Sequence, residues 1–456
     1  MAQTFVARSP IHAPADQVFA FHERPGAFQR LTPPYEQVEV VRREGSIRDG
    51  DRTVLRMKVG PLSQRWIAEH HGYEPGHQFV DVQVKGPFAA WAHTHRVEPA
   101  GAERSTMIDE VEYALPLGFL GRAFGGRMVE RRLQRMFAYR HEVLAHDARL
   151  HAIAGARRLR VAISGASGLI GTSLRALLET GGHEVLPLVR REAGEGEIRW
   201  DPAAGELDRA ALSGVDAVVH LAGENIAQRW TDDAKGRIRE SRVKGTALLA
   251  EAIASLDAPP KTFVSGSAVG FYGDAGRASV DERSASGEGF LAEVCRAWEE
   301  ASHPARDVGV RVVNARMGVV LSPAGGALAK MKLPFSLGLG GPVGDGSQMM
   351  SWVSIDDAVG ALYYMLLEES LEGPVNVTAP VAVDNAAFTD TLGRVLHRPT
   401  PFFVPAPAVK LALGEMGQAT LLEGQRVLPL RLEAAGYPFA HRTLEPALRH
   451  VLGKPA

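Results

Sequence analysis

Cysteine is all but missing from this chain: Cys295 is the single one among 456 residues. That excludes an intramolecular disulfide and a cysteine-rich zinc site. A lone thiol in a helical stretch reads as a small core residue. An excess of one charge is also lacking, since the formal net charge is -2, and with it goes any electrostatic pull toward nucleic acid or an anionic membrane. No uninterrupted apolar run reaches the roughly 18 residues that suggest a membrane span. The N-terminal MAQTFVARSPIHAP lacks the charged-then-apolar layout of a signal peptide, so a cytoplasmic location is expected. What is present is 45% apolar and 23% charged residues, the proportions of a globular protein. The length suits two or three separate cores.

The first 150 or so residues read differently from the rest. From Thr4 to Ile11 apolar and polar residues alternate as in a half-buried strand, and Ala13-Pro14-Ala15-Asp16 then opens a helix over QVFAFH. Six more alternating segments follow: YEQVEVVRR, RTVLRMKV, QRWIAEHHGYEP, HQFVDVQVK, AAWAHTHRVEP and STMIDEVEYALP. Gly, Pro and charged turns separate them at the spacing of an antiparallel sheet. A helical pattern then runs from about Gly126 to Ala148, with Met128, Leu133, Met136, Phe137 and Leu144 as its apolar side. The expected arrangement is one long helix lying on a curved antiparallel sheet around a cavity. His93 and His95 share a strand face. With no carboxylate or cysteine partner beside them in sequence they read as polar lining, and no metal is assigned.

That order, together with PADQVFAFHERPGAFQRLTPP near the start and FAAWAHTHRVEP and DEVEYALPLG near the end, resembles the START and polyketide-cyclase-like superfamily over about residues 3–147. The resemblance implies an α+β helix-grip (START-like) domain over 1–150 with a hydrophobic ligand in its cavity. HDARLHAIAGARR, His146 to Arg158, reads as a helix end running into a linker. The second domain is expected to start at Leu159.

LRVAISGASGLIGTSLRALLETGGHEVLPLVRR is the most informative run. It reads as strand, glycine loop, amphipathic helix, Gly-Gly stop and second strand. Gly165 permits the tight turn, Gly168 lets backbone approach a pyrophosphate, and Gly171 allows close helix–strand packing. Ser167, Leu169 and Ile170 belong to the same loop and helix start and are assigned with them to the cofactor. The spacing G-x-x-G-x-x-G resembles the short-chain dehydrogenase/reductase superfamily, which implies a Rossmann-type doubly wound parallel sheet. At the end of the second strand, where NAD-binding members place an acid, stand Arg190 and Arg191. A guanidinium can fork onto a 2′-phosphate that an acid would repel, so NADP is expected, with Arg190 selecting it.

Further resemblances follow in order. DAVVHLAGEN looks like the fourth strand of that superfamily, with Leu221, Ala222 and Gly223 beside the adenine and ribose; Arg242, in RESRVKGT, is assigned to the same cofactor. KTFVSGSAVGFYGD looks like the fifth strand, carrying the active-site serine as Ser267, and VRVVNARMGVVL looks like the sixth, with Arg316 before the nicotinamide-side loop. GDGSQMMSWVSIDDAVGAL resembles the extended, epimerase/dehydratase branch. LAGENIAQRWTDDAKGRIRESRVKGT, LPFSLGLGGPVGDG and LLEGQRVLPLRLEAAGYPF narrow this to an atypical subfamily resembling nucleoside-diphosphate-sugar epimerases, over about 159–453. The implied division is a cofactor domain over 159–400 and a small C-terminal helical domain over 401–456.

One part of that pattern is missing. The superfamily's Tyr-x-x-x-Lys pair falls on Phe290 and Val294, and YxxxK occurs nowhere in the chain. Phenylalanine has no proton to transfer and valine no charge to lower a phenol's pKa. Ser267 and Tyr272, with Asp274 just beyond, are the candidate substitutes. Glu293, Arg296 and Glu299 are expected on the solvated face of their helix, and Met349, Met350 and Trp352 on the substrate side or in the core. Two functions are open: an NADP-dependent oxidoreductase or epimerase-like enzyme on a small-molecule substrate, or a non-catalytic NADP-responsive ligand carrier or regulator.

Overall fold

Alternation decides the first part of the chain. The strands are β1 (Gln3–Ile11), β2 (Val38–Glu44), β3 (Arg52–Val59), β4 (Leu62–Glu74), β5 (Gln78–Lys85), β6 (Ala90–Pro99) and β7 (Ser105–Ala114). They form one antiparallel sheet in the order β1-β7-β6-β5-β4-β3-β2. Along β6 the residues Trp91, His93, His95 and Val97 are all buried and their neighbours are not, which is the period-two signature of a strand with one face on a core. Helices α1 (Ala15–Glu23) and α2 (Ala27–Leu31) follow β1, and α3 (Gly118–Ala154) closes the unit. The sheet wraps a core in which Phe5 stacks on Phe137 of α3 at 5.5 Å and Trp66 meets Trp91 edge-on at 5.0 Å. This is the helix-grip arrangement expected.

The computed structural model describes residues 2–59 and 62–455. They divide into two compact units, one chiefly of residues up to 156 and the other chiefly of 157–449.

Helix α3 departs from its sequence pattern. It begins at Gly118, well before the expected Gly126, because GFLGRAFGG carries four glycines whose poor helix propensity hides the first turns. It ends where Gly155 takes φ 58, a conformation that costs glycine little. Met128 is not on the buried side but 69% exposed. The buried stripe runs through Val129, Leu133, Phe137 and Leu144, and Met128 is one residue, about 100°, off it.

The second unit is an eight-stranded sheet. Its strands are β8 (Arg160–Ser164), β9 (Glu184–Val189), β10 (Ile198–Asp201), β11 (Glu206–Leu207), β12 (Ala217–His220), β13 (Thr262–Ala268), β14 (Arg311–Met317) and β15 (Gly373–Val377). Their order is β11-β10-β9-β8-β12-β13-β14-β15, parallel except for β11. The chain begins in the middle at β8, winds outward through β9 and β10, then crosses back to β12. The reversal lies between β8 and β12, and the crevice beyond the carboxyl ends of those strands is where open α/β sheets take ligands. Four helices matter below: α4 (Leu169–Thr180), α5 (Asp232–Ala254), α6 (Phe290–Glu300) and α7 (Ala406–Gly417). Among the described residues no helix is long and apolar enough to cross a membrane.

Candidate active site

The crevice opens on the loop between β8 and α4. β8 is buried from Val161 to Ser164, and at Gly165 the chain turns with φ 71. A Cβ there would lie 2.9 Å from the backbone of Leu221 and Ala222, so only glycine lets the β8 and β12 loops run side by side. A Cβ on Gly171 would fall 2.1 Å from the Gly165 carbonyl oxygen. The Ser164 hydroxyl joins the two strand ends, accepting the amide of Leu221 at 3.2 Å and lying 2.5 Å from His220 Nδ1. Ser167 and Gly168 are exposed at the mouth, with Leu169 and Ile170 half-buried behind them. The first bond into α4 runs from Thr172 N to Gly168 O at 2.9 Å, so the amides of Leu169 and Ile170 face outward as a helix N-terminus does toward an anion. Backbone amides at a helix N-terminus in such a loop can receive an anion.

The two arginines after β9 differ. Arg191 is bound through both its amino groups to the Glu197 carboxylate at 2.6 and 2.5 Å. Arg190 is exposed, and no ion pair or hydrogen bond of its side chain occurs among the described residues. Across the crevice Leu221 and Ala222 are half-buried and Gly223 exposed. Arg242 of α5 lies under Gly223, donating to Glu224 O at 3.0 Å and holding its guanidinium 5.1 Å from the Trp298 ring. Burial lowers its pKa.

At the next three strand ends one row of residues lies in register: Ser267 of β13 opposite Arg316 of β14, and Arg316 opposite Asn376 of β15. They form a single buried network. Ser267 Oγ donates to Glu299 Oε1 at 2.7 Å, Arg316 grips both oxygens of Glu299 at 2.8 Å, Arg316 Nη1 donates to the Tyr272 hydroxyl at 2.9 Å, and that hydroxyl donates to Asn376 Oδ1 at 2.7 Å. The guanidinium also sits 3.4 Å from the centre of the Phe271 ring. Burial pushes the Tyr272 phenol above its ordinary range, against the pull of Arg316. Asp274 stays outside, exposed and capping the amides of Gly276 and Gly424.

This corrects the reading of α6. Glu293 is exposed, but Glu299 is buried and paired, and Arg296 turns inward onto Ser286 Oγ and Gly287 O. The signal was present, since Ala292, Cys295 and Glu299 stand at i, i+3 and i+7 on one helix face. Asn376 carried no comparable local signal. Cys295 is a core residue, and burial, with Glu299 adding, drives its thiol up to about 11.

Phe290 and Val294 occupy an apolar setting. The Phe290 ring meets Trp230 edge-on at 4.9 Å and belongs to a cluster with Ile238, Leu413 and Met416, the last two from α7. Val294 is buried. Trp352 is wholly buried, a core residue, while Met349 and Met350 are half-buried.

In the first unit His93 and His95, read as polar lining without a carboxylate beside them in sequence, do have carboxylate neighbours in the fold. Asp81 comes from β5 and Asp109 from β7, both across strand pairs that sequence proximity does not reveal.

A glycine loop at the topological switch of a doubly wound sheet, with an extended-branch substrate side and a helix-grip unit before it, defines a dinucleotide-binding protein of the extended short-chain dehydrogenase type. The chain belongs to the NAD dependent epimerase/dehydratase family, whose profile matches residues 161–378. The profile described as polyketide cyclase / dehydrase and lipid transport matches 11–137, and that of a domain of unknown function matches 404–451. An epimerase family protein of Mycobacterium bovis is 48% identical over 297 residues, 65% of this chain and 98% of that one. The crystal structure called nucleoside-diphosphate sugar epimerase from Corynebacterium glutamicum superposes with a TM-score of 0.81 at 35% identity, covering 98% of this chain and 90% of that one. That of human epimerase family protein, solved with NADPH, gives 0.60 at 38% identity, covering 64% of this chain and 99% of its own.

Proposed function

We propose that this protein binds NADP(H) and acts as an epimerase-like oxidoreductase of the cytoplasm, and that its first unit, over 1–150, collects a hydrophobic ligand. The cofactor domain of this reading spans 159–400 and the C-terminal helical domain 401–456. The observation that carries it is the contrast at the end of β9: Arg191 is consumed by Glu197, while Arg190 stands exposed beside the glycine loop. The NADPH in the human relative supports the same cofactor. Gly165, Ser167, Gly168, Leu169 and Ile170 hold the diphosphate, Arg190 the 2′-phosphate, and Leu221, Ala222, Gly223 and Arg242 the adenosine side. When bound, the cofactor supplies or accepts a hydride.

Proton handling falls to Ser267 and Tyr272, with Arg316 in place of the missing lysine as the cation on the phenol. Both hydroxyls now donate inward, Ser267 to Glu299 and Tyr272 to Asn376, so one must turn to meet a substrate. That commitment also favours a second reading, in which NADP(H) regulates ligand uptake by the first unit and no turnover occurs.

Calorimetry with NADPH and NADH on wild type, Arg190→Ala and Arg191→Ala tests the cofactor. Loss of a charge-assisted contact worth about 1.5–3 kcal/mol weakens NADPH roughly 10–100-fold in Arg190→Ala only. Equal NADPH and NADH affinities in wild type overturn it. Nicotinamide absorbance at 340 nm across carbonyl and nucleotide-sugar panels separates enzyme from regulator. Silence at saturating NADPH, joined to a ligand affinity that shifts with NADPH, selects the regulator.

A further inference from the structure

We propose that the histidine wall of the first unit is a divalent-cation site, with Asp81, His93 and His95 as ligands and Asp109 as the carboxylate behind both imidazoles. The register builds it. His70 of β4, Asp81 of β5 and His93 of β6 are directly opposite one another, and His95, two residues further on the same face, is opposite Asp109 of β7. Asp81, His93 and His95 can each offer a ligand atom such that all lie within 4.8 Å of one another. Asp81 Oδ2 is 3.0 Å from His95 Nε2 and 3.8 Å from His93 Nδ1. Two donors about 2.0–2.2 Å from a shared tetrahedral ion stand about 3.4 Å apart, between those two values.

The outer nitrogen of His93 is arranged as a ligand histidine requires. His93 Nε2 meets Asp109 Oδ1 at 2.8 Å and His95 Nδ1 lies 2.9 Å from the same oxygen. His93 thus has one nitrogen toward Asp81 and the other hydrogen-bonded to Asp109, the carboxylate–histidine–metal layout that fixes tautomer and ring orientation, whereas His95 Nδ1 lies near Asp109 without a hydrogen bond. The far oxygen of Asp109 takes His141 Nε2 at 2.6 Å, and His141 Nδ1 rests on Ser9 Oγ at 2.8 Å. His70 Nδ1 lies 2.7 Å from Asp81 Oδ1, without hydrogen-bond geometry. The two imidazole centroids are only 3.7 Å apart, and Phe79 stacks on His95 at 4.2 Å. Two carboxylates and two touching imidazoles in such apolar company are a demanding arrangement that a single dication satisfies.

The site has a way in. The Asp81 side chain keeps 24% of its surface exposed while those of His93, His95 and Asp109 keep 3–4%, so Asp81 is the edge of the cluster nearest solvent. Nitrogen and oxygen donors of this kind suit zinc or ferrous iron rather than calcium or magnesium. This inference is independent of the cofactor reading, because it concerns the first unit alone.

Full-length protein, stripped with a chelator and shown to be folded by circular dichroism, is titrated with Zn(II) in the calorimeter and with Co(II) in the visible spectrometer. The expected result is one ion per chain and a cobalt d–d band. His93→Gln and Asp81→Asn each weaken Zn(II) by at least about 100-fold and abolish the band, and Asp109→Asn weakens binding by about 10–100-fold with the stoichiometry kept. Should a variant misfold, the wild-type stoichiometry and cobalt spectrum still decide. Absence of Zn(II) binding tighter than about 100 μM in the folded wild type overturns the proposal. So does binding that survives in both His93→Gln and Asp81→Asn, which places the ion elsewhere.

Discussion

Replacing Glu299 with glutamine tests the buried network at its centre. The side chains of Arg316 and Glu299 are only 4% and 12% exposed and meet through two contacts of 2.8 Å. Glutamine keeps the shape and one acceptor for Ser267, but it removes the charge and turns an amide donor toward Arg316 Nη2. At an effective dielectric of about 20 and a charge separation of about 4 Å the lost attraction is about 4 kcal/mol. That agrees with the roughly 3–5 kcal/mol seen when one partner of a buried pair is removed. Phe271, 3.4 Å from the guanidinium, returns part of it. The assay is urea unfolding of wild type and Glu299→Gln, with hydrogen exchange of β13 and β14 amides locating the loss. A Glu299→Leu/Arg316→Met pair, with neither charge to bury, should recover most of it. A loss below about 1 kcal/mol, the worth of a solvated pair, would refute the reasoning, because it would mean that water reaches Glu299.

Gly171→Ala forces a Cβ to within 2.1 Å of the Gly165 carbonyl; stability should fall by about 1–3 kcal/mol and NADPH affinity at least tenfold in calorimetry, and retention of both disproves the close approach. Restoring the superfamily pair with Phe290→Tyr/Val294→Lys should not restore turnover at 340 nm. Val294 is 2% exposed, and a lysine forced neutral there costs about 4–7 kcal/mol of stability, so a stable and active double variant contradicts the apolar reading of that face. Acid stability should report on His220, which burial, with Arg242 adding, lowers to about 3. The unfolded chain protonates it below about 6.5 while the folded one does not, so its contribution is present above that pH and lost as pH falls toward 3. The unfolding free energy of wild type relative to His220→Gln should shrink by about 2 kcal/mol between pH 7.5 and 5. A constant difference removes His220 as the cause.

What could be read from the sequence was what lies close together in it. The β8-loop-α4 unit is one continuous stretch, so glycine spacing, helix amphipathicity and the second strand fell in one window, and the strand, turn and helix stand where that window put them. The alternation of β6 was equally plain. What stayed hidden was lateral. Glu299 reads as solvated because it groups with the charged Glu293 and Arg296 of the same helix, yet its partner Arg316 comes from β14. Asn376 reaches Tyr272 across 104 positions.

The same blindness applied twice, and its physical origin is common to both. In a parallel sheet the residues at successive strand ends form a row, and in an antiparallel sheet residues opposite one another do; neither spacing exists along the chain. Ser267, Arg316 and Asn376 are such a row, and so are His70, Asp81 and His93. Each row gathers groups that are costly to bury singly; the row of the second unit settles that cost by mutual pairing, and the row of the first is the one for which a cation is proposed. In the second unit the pairing takes up the hydroxyls of Ser267 and Tyr272, while Phe290 and Val294 stand in an apolar setting. The cluster of Phe290, Trp230 and α7 covers that part of the helix, and one strand end away Ser267 is held by Glu299 and Tyr272 by Arg316 and Asn376.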